Sequence, residues 1–190
     1  AIINIDEDET IIFGDEISID HIVWMGTQPT LKEKSESVGV QKTLPSKQLS
    51  DYLAAAIKKS QPVSYLPAYR AEHKLKLQEW LGLSPSKQTP SVDFIKAVVN
   101  MRNYKSEEEV AEIEKACNIT ADMHIAAMKA VRIGMKEYEI AGVISDVALS
   151  SGGSLAFQTI ATVNGQILHN HFHGNTIKEG DMFLIDAGAE

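Results

Sequence analysis

The chain has 190 residues, 44% hydrophobic and 23% charged, the balance of a globular protein whose core needs no disulfide or metal staple. Its formal charge is −8, with 18 Lys+Arg against 26 Asp+Glu and no basic run, which argues against nucleic acid or an anionic membrane surface as a partner. One cysteine, Cys117, excludes an intrachain disulfide framework and fits a reducing, cytoplasmic compartment. No apolar run approaches the ~20 residues of a membrane-spanning helix, and the first residues carry no basic stretch of a signal peptide.

Ile2, Ile3 and Ile5, the acidic turn Asp6-Glu7-Asp8-Glu9 and the return Thr10-Ile11-Ile12-Phe13 predict a β-hairpin over residues 1–13. His21-Ile22-Val23-Trp24-Met25 predicts a short strand closed by Gly26, and residues 27–37 a polar surface loop. Pro45 and Ser46, the latter as N-cap, open a helix through Leu49, Leu53, Ala54 and Ile57. Residues 63–66 read as a strand, 72–80 as a helix ending before Gly82, and 84–90 as turn. Strand alternating with helix argues an α/β layer.

The clearest segment is 106–131. Val110, Ile113, Cys117, Thr120, His124, Met128 and Val131 step by three or four, so they share one helix face. Ser106 and Glu109 form a capping-box pattern, and Gly134 is a stop. On this face Cys117 reads as a buried, inert thiol and His124 as a satisfied core or edge histidine. A second helix runs from Glu137 to about Ser150, with Ile140, Val143, Ile144 and Val147 inward and Gly152-Gly153 ending it. Residues 157–163 predict a strand, Asn164-Gly165 a two-residue hairpin turn, and 166–169 the returning strand. A domain boundary is placed near residues 97–105. The first run is strand-like from residue 1, and the last, 182–190, reads as a strand that stops abruptly. Both ends are therefore expected to be interior to a longer chain.

Three histidines alternate in His169-Asn170-His171-Phe172-His173. On a strand they would face one way and could converge on zinc; alternatively they occupy a solvent-facing loop. Asp186 lies in the apolar run Phe183-Leu184-Ile185-Asp186-Ala187-Gly188. A carboxylate in a buried strand is costly unless it is paired, hydrogen-bonded or bound to a cation. The two readings are a ligand for a cation and a strand-end acceptor of backbone N–H groups. Trp24, between Val23 and Met25, reads as core packing. No Walker loop, Gly-x-Gly-x-x-Gly, Gly-x-Ser-x-Gly or Cys-x-x-Cys occurs.

Taken in order, several runs resemble one family. Met101-Arg102-Asn103-Tyr104-Lys105-Ser106-Glu107-Glu108-Glu109 resembles the start of the catalytic domain of Xaa-Pro aminopeptidases and prolidases. Gly134-Met135-Lys136-Glu137-Tyr138-Glu139 resembles their Gly-x-x-Glu step, and Ile167-Leu168-His169 their Ile-Leu-His strand. The run from Gly180-Asp181 through Leu184-Ile185-Asp186-Ala187-Gly188 resembles their Gly-Asp-x-x-Leu-Ile-Asp-x-Gly segment. Upstream, Val23-Trp24-Met25-Gly26 and Ser50-Asp51-Tyr52-Leu53 resemble the later half of the N-terminal domain of aminopeptidase P. The resemblance implies an α/β (α+β) fold: residues 1–100 as a partial creatinase-type N-terminal domain, and 101–190 as the first part of a pita-bread metallopeptidase domain.

The resemblance further implies two divalent metals, with manganese favoured by hard oxygen ligands. A hydroxide activated by them would cleave the bond before proline, and the substrates are peptides with proline in the second position. Of the family's ligands, two Asp, one His and two Glu, only the first falls within this chain, at Asp186. His169 matches a pocket histidine that acts on substrate or transition state without binding metal, and Phe157 an aromatic pocket position. Trp24 matches a tryptophan that in some relatives reaches a neighbouring subunit's active site, so a homodimer or higher homo-oligomer is expected. With one carboxylate the chain as given is expected to be inert. The alternatives are a prolidase acting on dipeptides, a metal-free creatinase-type enzyme, against which Asp186 argues, and a non-enzymatic pita-bread module that binds peptides or proteins.

Overall fold

The computed structural model describes residues 1–190 and separates into two compact units, Ala1–Met101 and Arg102–Glu190. In the first unit, β1 (Ile2–Asn4) and β2 (Glu9–Phe13) form the predicted antiparallel hairpin, with Ile2 opposite Ile11. Asp8 makes the turn at φ 48°, a left-handed conformation that Asp tolerates. A third strand, β3 (Lys42–Leu44), was not expected; it pairs parallel to β2, giving the order β1-β2-β3. Ile11, in the central strand, is fully buried.

Two expectations for this unit are corrected by helix caps. Residues 21–25 are not a strand but lie in α1 (Ile19–Met25). Ser18 Oγ accepts the His21 N–H at 3.2 Å, and Gly26, at φ 75°, closes the turn by donating to the Ile22 carbonyl at 2.8 Å. The β-branched Ile and Val suggested a strand, and the cap at each end overrides that preference. Residues 27–37 are not all loop. Thr30 and Glu33 form a reciprocal capping box that starts α2 (Leu31–Glu36). The predicted strand at 63–66 is absent.

The helix after Pro45 is present as α3 (Leu49–Lys58), with Leu53 buried. Ser46 is not its N-cap: it sits in a 3₁₀ turn, Ser46–Gln48, and its N–H donates to the Asp15 carboxylate at 3.0 Å. Tyr52 ties α3 to the sheet, accepting from Asn4 at 3.0 Å and meeting the Phe13 ring edge-on with centroids 5.7 Å apart. α4 (Ala71–Leu81) ends at Gly82 in the left-handed conformation, as expected, and α5 (Val92–Asn103) carries the chain out of the unit. α1 has no buried residue, and Trp24 is 86% exposed, so it is not core packing.

The second unit is built on α6 (Glu107–Ala130) and α7 (Glu137–Ser150). Ser106 and Glu109 close the predicted capping box: the Glu109 carboxylate accepts the Ser106 N–H at 2.8 Å. The helix stops at Ala130, before Gly134. The core is Met123 and Ala127 of α6 with Ile140, Ile144 and Ala148 of α7, joined by Ile177, Ala187 and Ala189. The inward row on α6 therefore runs through Ile119, Met123, Ala127 and Ala130, while Val110, Ile113, Cys117 and Met128 are exposed. The expected stripe was offset because α6 presents two apolar rows, and α7 covers the other one. Cys117 is thus not a buried thiol.

β4 (Ile160–Thr162) pairs antiparallel with β5 (Leu184–Asp186), Ile160 facing Asp186 and Thr162 facing Leu184. The expected hairpin at Asn164-Gly165 does not form. The Val163 N–H is taken by the Glu137 carboxylate and the Asn164 N–H by Thr162 Oγ1, so neither can enter a ladder with residues 166–169.

Candidate functional site

Ile185 packs against the helical core, so its neighbours Leu184 and Asp186 project from the other face of β5, and both are exposed. The expectation of a buried Asp186 is thereby corrected: β4 is buried along its whole length, whereas its partner β5 is the exposed member of the ladder. Asp186 takes part in no ion pair. α6 fixes the chain just beyond it. Thr120 Oγ1 accepts the Ala189 N–H at 3.0 Å, and one turn later His124 Nε2 donates to the Ala187 carbonyl at 3.3 Å. His124 is the satisfied histidine that the sequence suggested.

The opposite chain bulges at this point. Ala156 donates to Gly188 at 2.9 Å and Ile160 faces Asp186, so residues 157, 158 and 159 stand against Ala187 alone. The bulge turns the Thr159 carbonyl out of the ladder, where His173 Nε2 donates to it at 3.1 Å. It also brings Phe157 over the strand. A Cβ placed on Gly188 would lie 3.3 Å from the Phe157 ring and 3.8 Å from the Ala156 Cβ. Gly188 is two residues from Asp186, so Phe157 and Asp186 share one face.

His169 lies on the segment that follows β4. The segment is irregular, and His169 and His171 are exposed on it, while His173 is engaged by Thr159. The three histidines therefore do not line a strand. No group of three or more His, Cys, Asp or Glu could hold a metal ion, so the three-histidine zinc reading fails. The donor set fits a divalent cation only as far as one free hard-oxygen ligand, Asp186, set among small neighbours.

The segment is held by a residue whose role the sequence did not reveal. Glu137, the first residue of α7, is fully buried. Its Oε1 accepts from Thr162 Oγ1 at 3.0 Å and Val163 N at 2.9 Å, and its Oε2 from Asn175 N at 3.0 Å. Asn175 Nδ2 reaches both oxygens, at 3.1 and 3.0 Å. Burial by itself raises the carboxyl pKa, but the bonds from Val163, Asn175 and Thr162 outweigh it and hold the group below the usual carboxylate value. Thr162 Oγ1 also accepts from Asn170 Nδ2 at 3.1 Å, next to His169.

Residues 1–65 match the model of the aminopeptidase P N-terminal domain, and residues 111–190 that of metallopeptidase family M24. The chain is 38% identical over 102 residues to the Xaa-Pro aminopeptidase of Escherichia coli, covering 52% of this chain and 23% of that protein. It is 25% identical over 203 aligned positions to the human Xaa-Pro dipeptidase, covering 100% of this chain and 40% of the relative. Its fold matches the aminopeptidase PepP of Pseudomonas aeruginosa with a TM-score of 0.77 at 26% identity, covering 95% of this chain and 43% of that one. The chain thus spans less than half the length of these relatives. No helix is long and apolar enough to cross a membrane. With an aminopeptidase P N-terminal model matched ahead of a metallopeptidase M24 model, the chain is similar along both units to a fragment of the Xaa-Pro aminopeptidase and prolidase family of metallopeptidases.

Proposed function

We propose that the native protein is a metal-dependent aminopeptidase that hydrolyses the bond between an N-terminal residue and proline. The carrying observation is Asp186: an exposed, unpaired carboxylate at the end of β5, with the backbone just beyond it pinned by Thr120 and His124. A carboxylate so placed has no structural partner to satisfy and is open to a cation. Asp186 is a metal ligand in this reading, Phe157 forms a wall of the pocket on the same face, and His169 binds substrate and stabilises developing charge. A pair of divalent ions, manganese by the hard-oxygen character of the ligand, supplies Lewis acidity and a nucleophile at neutral pH. The chain's own residues bind and orient: Gly188 leaves space beside Phe157, and the pinned strand holds the Asp186 oxygens still.

Unit 1 then serves as part of a creatinase-like N-terminal domain and unit 2 as the first part of a pita-bread domain. One ligand cannot hold two ions, so residues 1–190 alone are inert. The exposed Trp24 supports a homo-oligomer, and the lone cysteine a cytoplasmic location. A second reading, prolidase, is favoured by the human Xaa-Pro dipeptidase aligning along the entire chain. Assay of the native protein on Xaa-Pro dipeptides and on longer Xaa-Pro peptides, with metal content measured in parallel, decides. Cleavage of the longer peptides by a metal-loaded protein supports the aminopeptidase, and cleavage of dipeptides only supports the prolidase. Neither activity, with no metal retained, overturns both.

A further inference from the structure

Desolvation opposes burying a carboxylate, and a neutral residue could begin α7 at less cost. Glu137 is fully buried all the same, and none of its partners is a cation: its donors are Thr162, Val163 and Asn175. Thr162 and Val163 stand where the chain leaves β4, and Asn175 where the intervening segment ends. One side chain therefore closes both ends of residues 163–175. Inside that closure, Asn170 binds Thr162 and accepts the Phe172 N–H at 3.1 Å. Between these anchors Ile167, Leu168, His169 and Phe172 are exposed.

We infer that Glu137 is the positioning residue for His169: its carboxylate sets the path of residues 163–175 and through it the placement of the imidazole against substrate. The inference rests on His169 acting in the pocket, as proposed above. Glu137 touches no substrate; it acts only through the segment it clasps.

The test uses the full-length native protein. Glu137→Gln keeps the shape but turns an N–H donor toward donors. Asn175→Ala removes the side-chain bonds at the far end only and serves should the first variant not fold. Hydrogen exchange at residues 163–175 is expected to quicken about ten- to a hundredfold, as one or two charge-assisted bonds are lost, with α6 and α7 unchanged. The value of kcat/KM on an Xaa-Pro peptide is expected to fall through kcat, and the fall is expected to vanish in a His169→Ala background. Unchanged exchange at 163–175 overturns the inference, as does exchange that rises equally across the unit, or effects of the two substitutions that simply multiply. A His169→Ala protein of normal kcat/KM overturns the assignment of His169 and the inference with it; the other outcomes overturn the inference alone.

Discussion

Asp186 and Glu137 are carboxylates of the same unit, one exposed on β5 and one enclosed at the start of α7. Asp186→Asn is expected to change the stability of the metal-free protein by no more than about 0.5 kcal/mol, because no ion pair in the fold uses the charge. Metal content of the native protein is expected to drop with it, read by elemental analysis beside a urea titration. Glu137→Ala strands the Val163 and Asn175 N–H groups and is expected to cost about 3 kcal/mol in the same titration. The pH dependence follows from the lowered pKa of Glu137. Its contribution is fully present above the unfolded value, about 4.5, and is lost as pH falls through the lower folded value. Acid titration followed by circular dichroism should show this loss, and Glu137→Gln should flatten it. Asp186 stood out in the sequence because a charge interrupts an apolar run, although the run alone did not reveal which face was covered. The role of Glu137 was illegible, since its donors lie 25, 26 and 38 residues away.

Among the elements, α6 was legible because its start signal and its periodicity agree: Ser106 and Glu109 cap it, and apolar residues recur every three or four positions. Which of its apolar rows is inward depends on α7, which no local pattern encodes. Met123→Ala is accordingly expected to cost about 3 kcal/mol, whereas Ile113→Ala, on the exposed row, should stay within about 0.5 kcal/mol. Equal losses in thermal melts of the two variants would contradict the packing described. α1 and α2 carried readable caps, Ser18 and Gly26, Thr30 and Glu33, that were outweighed by composition over such short runs. β3 was hidden because its ladder partner, β2, lies some thirty residues earlier: Ile11 faces Lys42.

For the whole molecule, the order of short motifs was more informative than any one of them, and it extends over both units. Within these residues no group of three or more His, Cys, Asp or Glu could hold a metal ion. Residues 1–190 expressed alone, with saturating manganese, are expected to show no Xaa-Pro hydrolysis in a discontinuous peptide assay. Turnover by the homogeneous chain would contradict the assignment of Asp186 as one ligand among several.

The bulge opposite Ala187 also confines the extra length to one place. Leu155 pairs with Ala189 on one side of it and Ile160 with Asp186 on the other, so the added residues are absorbed locally and the ladder resumes with its facing intact. Shortening the bulge therefore removes what it carries, Phe157 and the Thr159 carbonyl that His173 holds, while Ile160, Ala161 and Thr162 keep their partners. A protein lacking Gln158 is expected to stay folded by circular dichroism; its unfolding would show that the ladder depends on the bulge.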